Sequence, residues 1–264
     1  MVTTILFVLG LCLGSFINAL VWRLQNKRDW VHERSECVDC RHKLSAKDLI
    51  PVISWLVLRG KCRYCKKPIS TQYPIVELVT AGLFTVSYVA WPKPLTTFLL
   101  FKLVMWLLLL VVLTALSVYD LRTMLLPDKL VSFAAVLTIV YVLGSVIILN
   151  DKFVVMRDAF FGLIAFGGLF YLLFQVSKGK WIGGGDVKLG FVLGAWLGNP
   201  FLSLLAIFAA SLLGTIIVAG TSVFKKIELN AKLPFGPLLI AGTIIVTLYG
   251  SQIIDKYLWY VLGA

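Results

Sequence analysis

Long apolar runs separated by short polar stretches set the expected architecture of this chain. Residues 2–21, 74–90, 96–118, 127–149, 159–176, 201–224 and 233–254 are each apolar enough to form a membrane-spanning helix, which needs about twenty residues at a rise of about 1.5 Å each. The run 187–197 is shorter and follows Gly183-Gly184-Gly185. That deficit predicts a glycine loop dipping into the membrane, where irregular backbone is tolerated only if protein buries it or water reaches it. The expected fold is an all-α polytopic membrane protein of about eight transmembrane helices, with a small cytoplasmic zinc-knuckle segment between the first two. Its expected parts are a first helix over 1–24, the polar segment over 25–72 and a seven-helix core over 73–264. The apolar start has neither a basic leader region nor a small-residue cleavage site, so it reads as the first span and not as a signal peptide.

Composition agrees: 59% of the 264 residues are hydrophobic and the mean hydropathy is +0.92, which excludes a soluble domain. The formal charge of +12 would suggest nucleic acid in a soluble protein. Here the basic residues sort by loop, and no nucleic-acid partner is expected. With the amino terminus outside, twenty of the 25 Lys and Arg fall on inner segments, leaving Lys93, Lys102, Lys152, Arg157 and Lys256 outside. Lys225, Lys226 and Lys232 count on the inner side. This orientation puts the polar segment and both candidate aspartates on the cytoplasmic side.

Four of the five cysteines lie in that segment, as Cys37-Val38-Asp39-Cys40 and Cys62-Arg63-Tyr64-Cys65. Two such knuckles bring four thiolates around Zn2+. Redox dithiols or two disulfides are the other readings, and a reducing cytoplasm favours zinc over the disulfides. His32 and His42 read as surface residues. A segment this short has little apolar core, so a metal would supply much of its folding free energy.

Two aspartates lie at the ends of long apolar runs, where an ionised carboxylate costs several kcal/mol unless compensated. Asp128 follows Pro127 and is explained as a first-turn residue, whereas Asp120 has no such account. Asp186 follows the glycine triplet, whose missing β-carbons permit positive φ and close approach of a substrate strand. The alternative for Asp186 is a solvated helix cap. Two carboxylates meeting in a low-dielectric site do not easily both ionise, and such a pair can activate water for peptide hydrolysis. Lys188 either holds the loop or is a plain interfacial lysine. Glu77 either complements the dipole in the first turn of the second span or is a buried functional carboxylate. Asn18 either packs against another helix or contacts a substrate.

With these residues located, the chain resembles the type IV prepilin peptidases, intramembrane aspartic proteases of the GxGD kind. The resemblance is carried by Gly14-Ser15-Phe16 with Asn18 and Arg23, by the two C-x2-C knuckles, and by Tyr73-Pro74 with Glu77. It continues through Asp120 with Leu126-Pro127-Asp128, Gly183-Gly184-Gly185-Asp186 with Lys188, and Pro234-Phe235-Gly236-Pro237. Gln25 departs from the pattern, since a proline often follows Arg-Leu there. The resemblance implies cleavage of a basic leader from type IV prepilins or pseudopilins at the cytoplasmic face of the bacterial inner membrane, with Asp120 and Asp186 as the catalytic pair. It also implies N-methylation of the new amino terminus from S-adenosylmethionine, and it makes Asn18, Arg23, Glu77 and Asp128 candidate substrate or methyl-transfer contacts. The residues alone show no nucleotide loop and leave two other readings open: a proton-coupled transporter with a regulatory zinc segment, and a non-catalytic scaffold.

Overall fold

The computed structural model describes residues 1–29, 32–224 and 234–263, so Lys225, Lys226 and Lys232 lie outside the described residues. The fold is helical; among the described residues there is no strand, only isolated bridges joining Glu36 to Lys43 and Lys61 to Pro68. The chain forms two compact units, Met1–Trp91 and Pro92–Ala264.

The first unit is a helix pair with a small polar module between its members. Helix α1 (Val2–Gln25) lies along α3 (Gln72–Ala90), and glycines bring their backbones together. A β-carbon at Gly10 would lie 2.6 Å from Ala81 Cα, and one at Gly14 would lie 2.5 Å from Glu77 Cα. Ile17, Val21, Ala81 and Phe84 fill the seam. The module between them holds a short 3-10 turn, Ala46–Asp48, and one short helix, α2 (Ile53–Val57).

The second unit contains α4 (Thr97–Thr123), α5 (Asp128–Leu149), α6 (Lys152–Leu163), a π-helical turn (Ile164–Gly168), α7 (Leu169–Ser177), α8 (Gly184–Leu197), α9 (Pro200–Phe224) and α10 (Gly236–Leu262). Its centre is aromatic: Trp106 of α4 stacks on Trp196 of α8 at 5.4 Å, and Tyr141 of α5 meets Trp196 at 4.3 Å. Glycines again permit contact at backbone distance. A β-carbon at Gly162 would lie 2.3 Å from Gly194 O, and one at Gly194 would lie 2.4 Å from Gly162 O.

Seven helices among the described residues are long and apolar enough to cross a membrane: α1, α3, α4, α5, the continuous run Lys152–Ser177, and the greater part of α9 and of α10. The chain is a multi-pass membrane protein. The count is therefore seven where the run lengths suggest about eight. The missing member is α8, whose 14 residues span about 21 Å against a hydrocarbon core of about 30 Å. The fifth span also begins earlier than its apolar run, at Lys152. Asp151 caps it by accepting from Val154 N at 3.1 Å, and Arg157 pairs with its neighbour Asp158 at 2.8 Å. Polar residues that read as loop thus ride on the first turns of a helix.

Candidate active site

Both aspartates belong to the second unit, and each is placed by a helix end. Helix α4 does not stop at its last apolar residue; it continues through Asp120 to Thr123, and Met124 closes it in the left-handed conformation. Arg122 lies in that last turn, where a cation suits the helix dipole. Asp120 is buried, with 5% of its surface exposed. Its Oδ2 accepts a hydrogen bond from the backbone N–H of Gly236 at 3.1 Å. That N–H is the first of α10 and has no partner within its own helix, and Pro237 follows it at the helix start. A β-carbon at position 236 would lie 2.7 Å from Asp120 Oδ2, so glycine is what allows the amide to reach the carboxylate.

Asp186 occupies the first turn of α8, with its N–H bonded to Gly183 O at 3.1 Å. The glycine triplet is therefore not an irregular loop. Gly183 is the extended cap, Gly184 and Gly185 open the helix, and none of the three has positive φ. Their missing side chains serve proximity. A β-carbon at Gly185 would lie 3.0 Å from Leu126 Cβ, and one at Gly183 would lie 3.3 Å from Asp186 Oδ2. Leu126 also stands 3.3 Å from the β-carbon position of Gly236, so one side chain bridges the glycine beside Asp186 and the glycine bonded to Asp120. Each aspartate is also set at the N-terminus of a helix, α10 for Asp120 and α8 for Asp186, where the dipole and free amides favour negative charge.

The other expected residues separate into distinct sets. Lys188 Nζ pairs with Asp128 Oδ1 at 2.6 Å, tying the second turn of α8 to the first turn of α5, and both side chains are exposed. Asn18, Arg23 and Glu77 are buried in the first unit. Asn18 Nδ2 donates to Gly14 O at 3.2 Å and Tyr73 O at 3.1 Å, while its Oδ1 accepts from Gln72 at 3.3 Å. It is a fastener between α1 and α3. Glu77 lies beyond the first turn of α3, because that helix begins at Gln72. Its Oε2 accepts from Val52 N at 2.7 Å. The dipole account of Glu77 thus gives way to a hydrogen-bonding one.

The four cysteine sulfurs of the module lie within 4.8 Å of one another. Cys37 Sγ and Cys65 Sγ are 3.9 Å apart, close to the edge of about 3.8 Å that Zn–S bonds of about 2.3 Å give a tetrahedron. The two knuckles repeat the same backbone pattern. Arg41 N bonds to Cys37 O and Lys66 N to Cys62 O, both at 3.0 Å, and Arg41 and Lys66 both take left-handed φ. The thiols of the cluster shift apart: burial pushes Cys62 up but the amides of Cys65 and Tyr64 bring it down to about 7, whereas the amide of Lys67 lowers Cys65 yet burial and the neighbouring sulfurs bring it up to about 11. Asp48 braces the second knuckle, bonded to Arg63 Nε at 2.7 Å and Tyr64 at 3.1 Å. Burial raises its carboxyl, yet the Arg63, Ser45 and Tyr64 donors hold it at about 2. His32 and His42 are exposed.

Residues 8–91 match the model of the bacterial peptidase A24 N-terminal domain, and residues 107–219 match that of the type IV leader peptidase family. A prepilin leader peptidase/N-methyltransferase of Stutzerimonas stutzeri is 35% identical, with 96% of this chain and 92% of that protein aligned. The protein of the same name from Bacillus subtilis is 33% identical, with 98% and 99% aligned. The chain belongs to the type IV leader peptidase family. No solved structure matches it. The family's two models divide the site as the fold does: the four cysteines fall in the first, and Asp120, Leu126, Asp128 and Asp186 fall in the second. Nothing in the family's matches supports the transporter reading. The residue whose contribution the sequence concealed is Gly236, whose signal was a glycine between Phe235 and a helix-starting proline.

Proposed function

We propose that this protein is an intramembrane aspartic endopeptidase that removes the basic leader from type IV prepilins or pseudopilins at the cytoplasmic face of the bacterial inner membrane. The observation that supports the reading is that Leu126 meets both the glycine bonded to Asp120 and the glycine before Asp186, with each aspartate held at a helix N-terminus. A water between them gives a proton to the ionised carboxylate as it attacks the scissile carbonyl. The protonated carboxyl donates to the carbonyl oxygen, and a proton then passes to the departing amine. The two titrate as a pair, and no covalent intermediate is required. The missing side chains of Gly183 and Gly184 leave room beside Asp186 for extended substrate backbone, and Lys188 with Asp128 ties the next turn of α8 to α5.

The amino terminus lies outside in this reading, so that the basic loops and the cysteine module face the cytoplasm. Cys37, Cys40, Cys62 and Cys65 would hold a structural Zn2+, which the spacing of their sulfurs suits. The relatives' names support a second activity, N-methylation of the exposed amino terminus, for which S-adenosylmethionine would supply the methyl group.

The deciding experiment is cleavage of a purified prepilin by the full chain in a membrane-like environment, read by mass spectrometry. Wild type removes the leader. Asp120→Asn and Asp186→Asn each lower the rate by about 10²–10⁴-fold, the usual contribution of a positioned acid or base. Wild-type rates in either variant would overturn the assignment. Added S-adenosylmethionine yields a further methyl mass on the mature pilin. Metal analysis finds one zinc per chain, lost in Cys37→Ser and Cys62→Ser.

A further inference from the structure

Helix α2 of the cysteine module is built inside out. Ile53, Leu56 and Val57 recur at i, i+3 and i+4 and so share one face, yet they are 58%, 60% and 70% exposed. The aromatic residue of the same helix turns the other way. A β-carbon at Gly60 would lie 2.9 Å from the Trp55 ring, and Trp55 Nε1 donates to Ile69 O at 3.1 Å. Leu49 and Ile50, just before the helix, are exposed as well. A contiguous apolar patch on a polar module marks a surface that meets something.

Three observations identify what it meets. The first is depth. Pro51, Val52 and Ile53 form a γ-turn, with Ile53 N bonded to Pro51 O and Val52 at φ 61, ψ −49, a conformation that is rare and strained for a β-branched residue. The turn frees Val52 N–H, which donates to Glu77 Oε2 at 2.7 Å. Glu77 lies in the second turn of a membrane-spanning helix, so α2 starts at that level. The second is the company kept there: Ile75, Leu78 and Val79, in the same turns of α3, are also exposed. The third is charge. Residues 25–72 carry eleven Lys and Arg against five Asp and Glu, and Lys47, Arg59 and Lys61, which bracket the apolar face in sequence, are all exposed.

We propose that α2 is an interfacial membrane anchor. Its Ile53–Leu56–Val57 face enters the headgroup–acyl boundary of the leaflet at the Glu77 end of α3, and Lys47, Arg59 and Lys61 contact anionic headgroups. Aliphatic burial with a basic rim is the usual chemistry of such helices. The strained turn and the Glu77 bond fix the depth, and the anchor holds the cysteine module down on the membrane surface. The inference does not depend on the protease chemistry.

It is tested with full-length protein carrying p-benzoylphenylalanine in place of Leu56 or, as a control, exposed Lys43, reconstituted in nanodiscs containing phosphatidylglycerol with prepilin present. After illumination, adducts are identified by mass spectrometry. The expected result is lipid acyl adducts at position 56 in several-fold excess over position 43. That yield should fall when Arg59 and Lys61 are both replaced by Ser, and fall in the same way in purely zwitterionic bilayers. Adducts from position 56 to the prepilin, or to the protein's own chain, would overturn the anchor in favour of a protein-binding face. Labelling no greater than at position 43 would overturn it outright.

Discussion

The two units bury carboxylates in opposite ways. In the first, Glu77 meets a donor of a neighbouring loop: Val52 N–H takes one oxygen at 2.7 Å, and the acid pins a strained turn to a helix. In the second, Asp120 accepts from the amide of Gly236, and Leu126 joins that glycine to the turn that carries another acid, Asp186. Burial alone therefore does not mark a reactive carboxylate. A buried acid that meets only the chain's own donors is structural, because that hydrogen bonding offsets its desolvation. A buried acid whose neighbour is a second acid keeps an unsettled proton, and that is what acid–base chemistry needs.

This contrast can be broken most sharply at the aspartates. The double variant Asp120→Asn/Asp186→Asn should be no slower than either single variant, since groups that act as one unit are not additive; progress curves on one prepilin check this, and a multiplicative loss would mean the two act separately. Next in size is Gly236→Ala, whose new methyl would fall 2.7 Å from Asp120 Oδ2. Displacing a reacting group by even about 1 Å can cost about 10²-fold. Here kcat should fall while KM and helix content by circular dichroism stay at wild-type values.

The structural acid should behave otherwise. Glu77→Ala strands the Val52 N–H and costs about 1–3 kcal/mol locally, read as faster limited proteolysis around residues 49–57. Glu77→Gln keeps an acceptor oxygen and should restore protection, with leader cleavage close to wild type. A loss of cleavage in Glu77→Gln as deep as in Asp120→Asn would erase the distinction. The smallest effect is expected from Lys188→Met. Its ion pair with Asp128 is exposed, such pairs contribute at most about 1 kcal/mol, and the cleavage rate should stay within about fivefold of wild type.

The two regions also differed in how legible they were. The cysteine module could be read almost directly, because a C-x2-C knuckle is a local object whose geometry follows from its own few residues; the repeated bonds at Cys37–Arg41 and Cys62–Lys66 bear this out. The glycine triplet was harder. Its sequence suggests a loop, yet Gly184 and Gly185 are helical, because what Gly185 accommodates is not a turn but Leu126, almost sixty residues earlier. Glu77 misled for the same reason, its partner being a strained turn that no periodicity reveals.

What the sequence determined by itself is whatever depends on hydropathy and spacing: a multi-pass helical membrane protein, the paired knuckles, and two aspartates at the ends of long apolar runs. Those features follow from the cost of placing polar groups in hydrocarbon, which each segment incurs separately. What only the tertiary structure decided is which buried acid has donors and which has another acid. It also decided that α10 lends its first amide to Asp120, and that the glycine triplet opens α8 as helix. Those outcomes depend on contacts between distant residues, at distances that glycine permits and that no local pattern records.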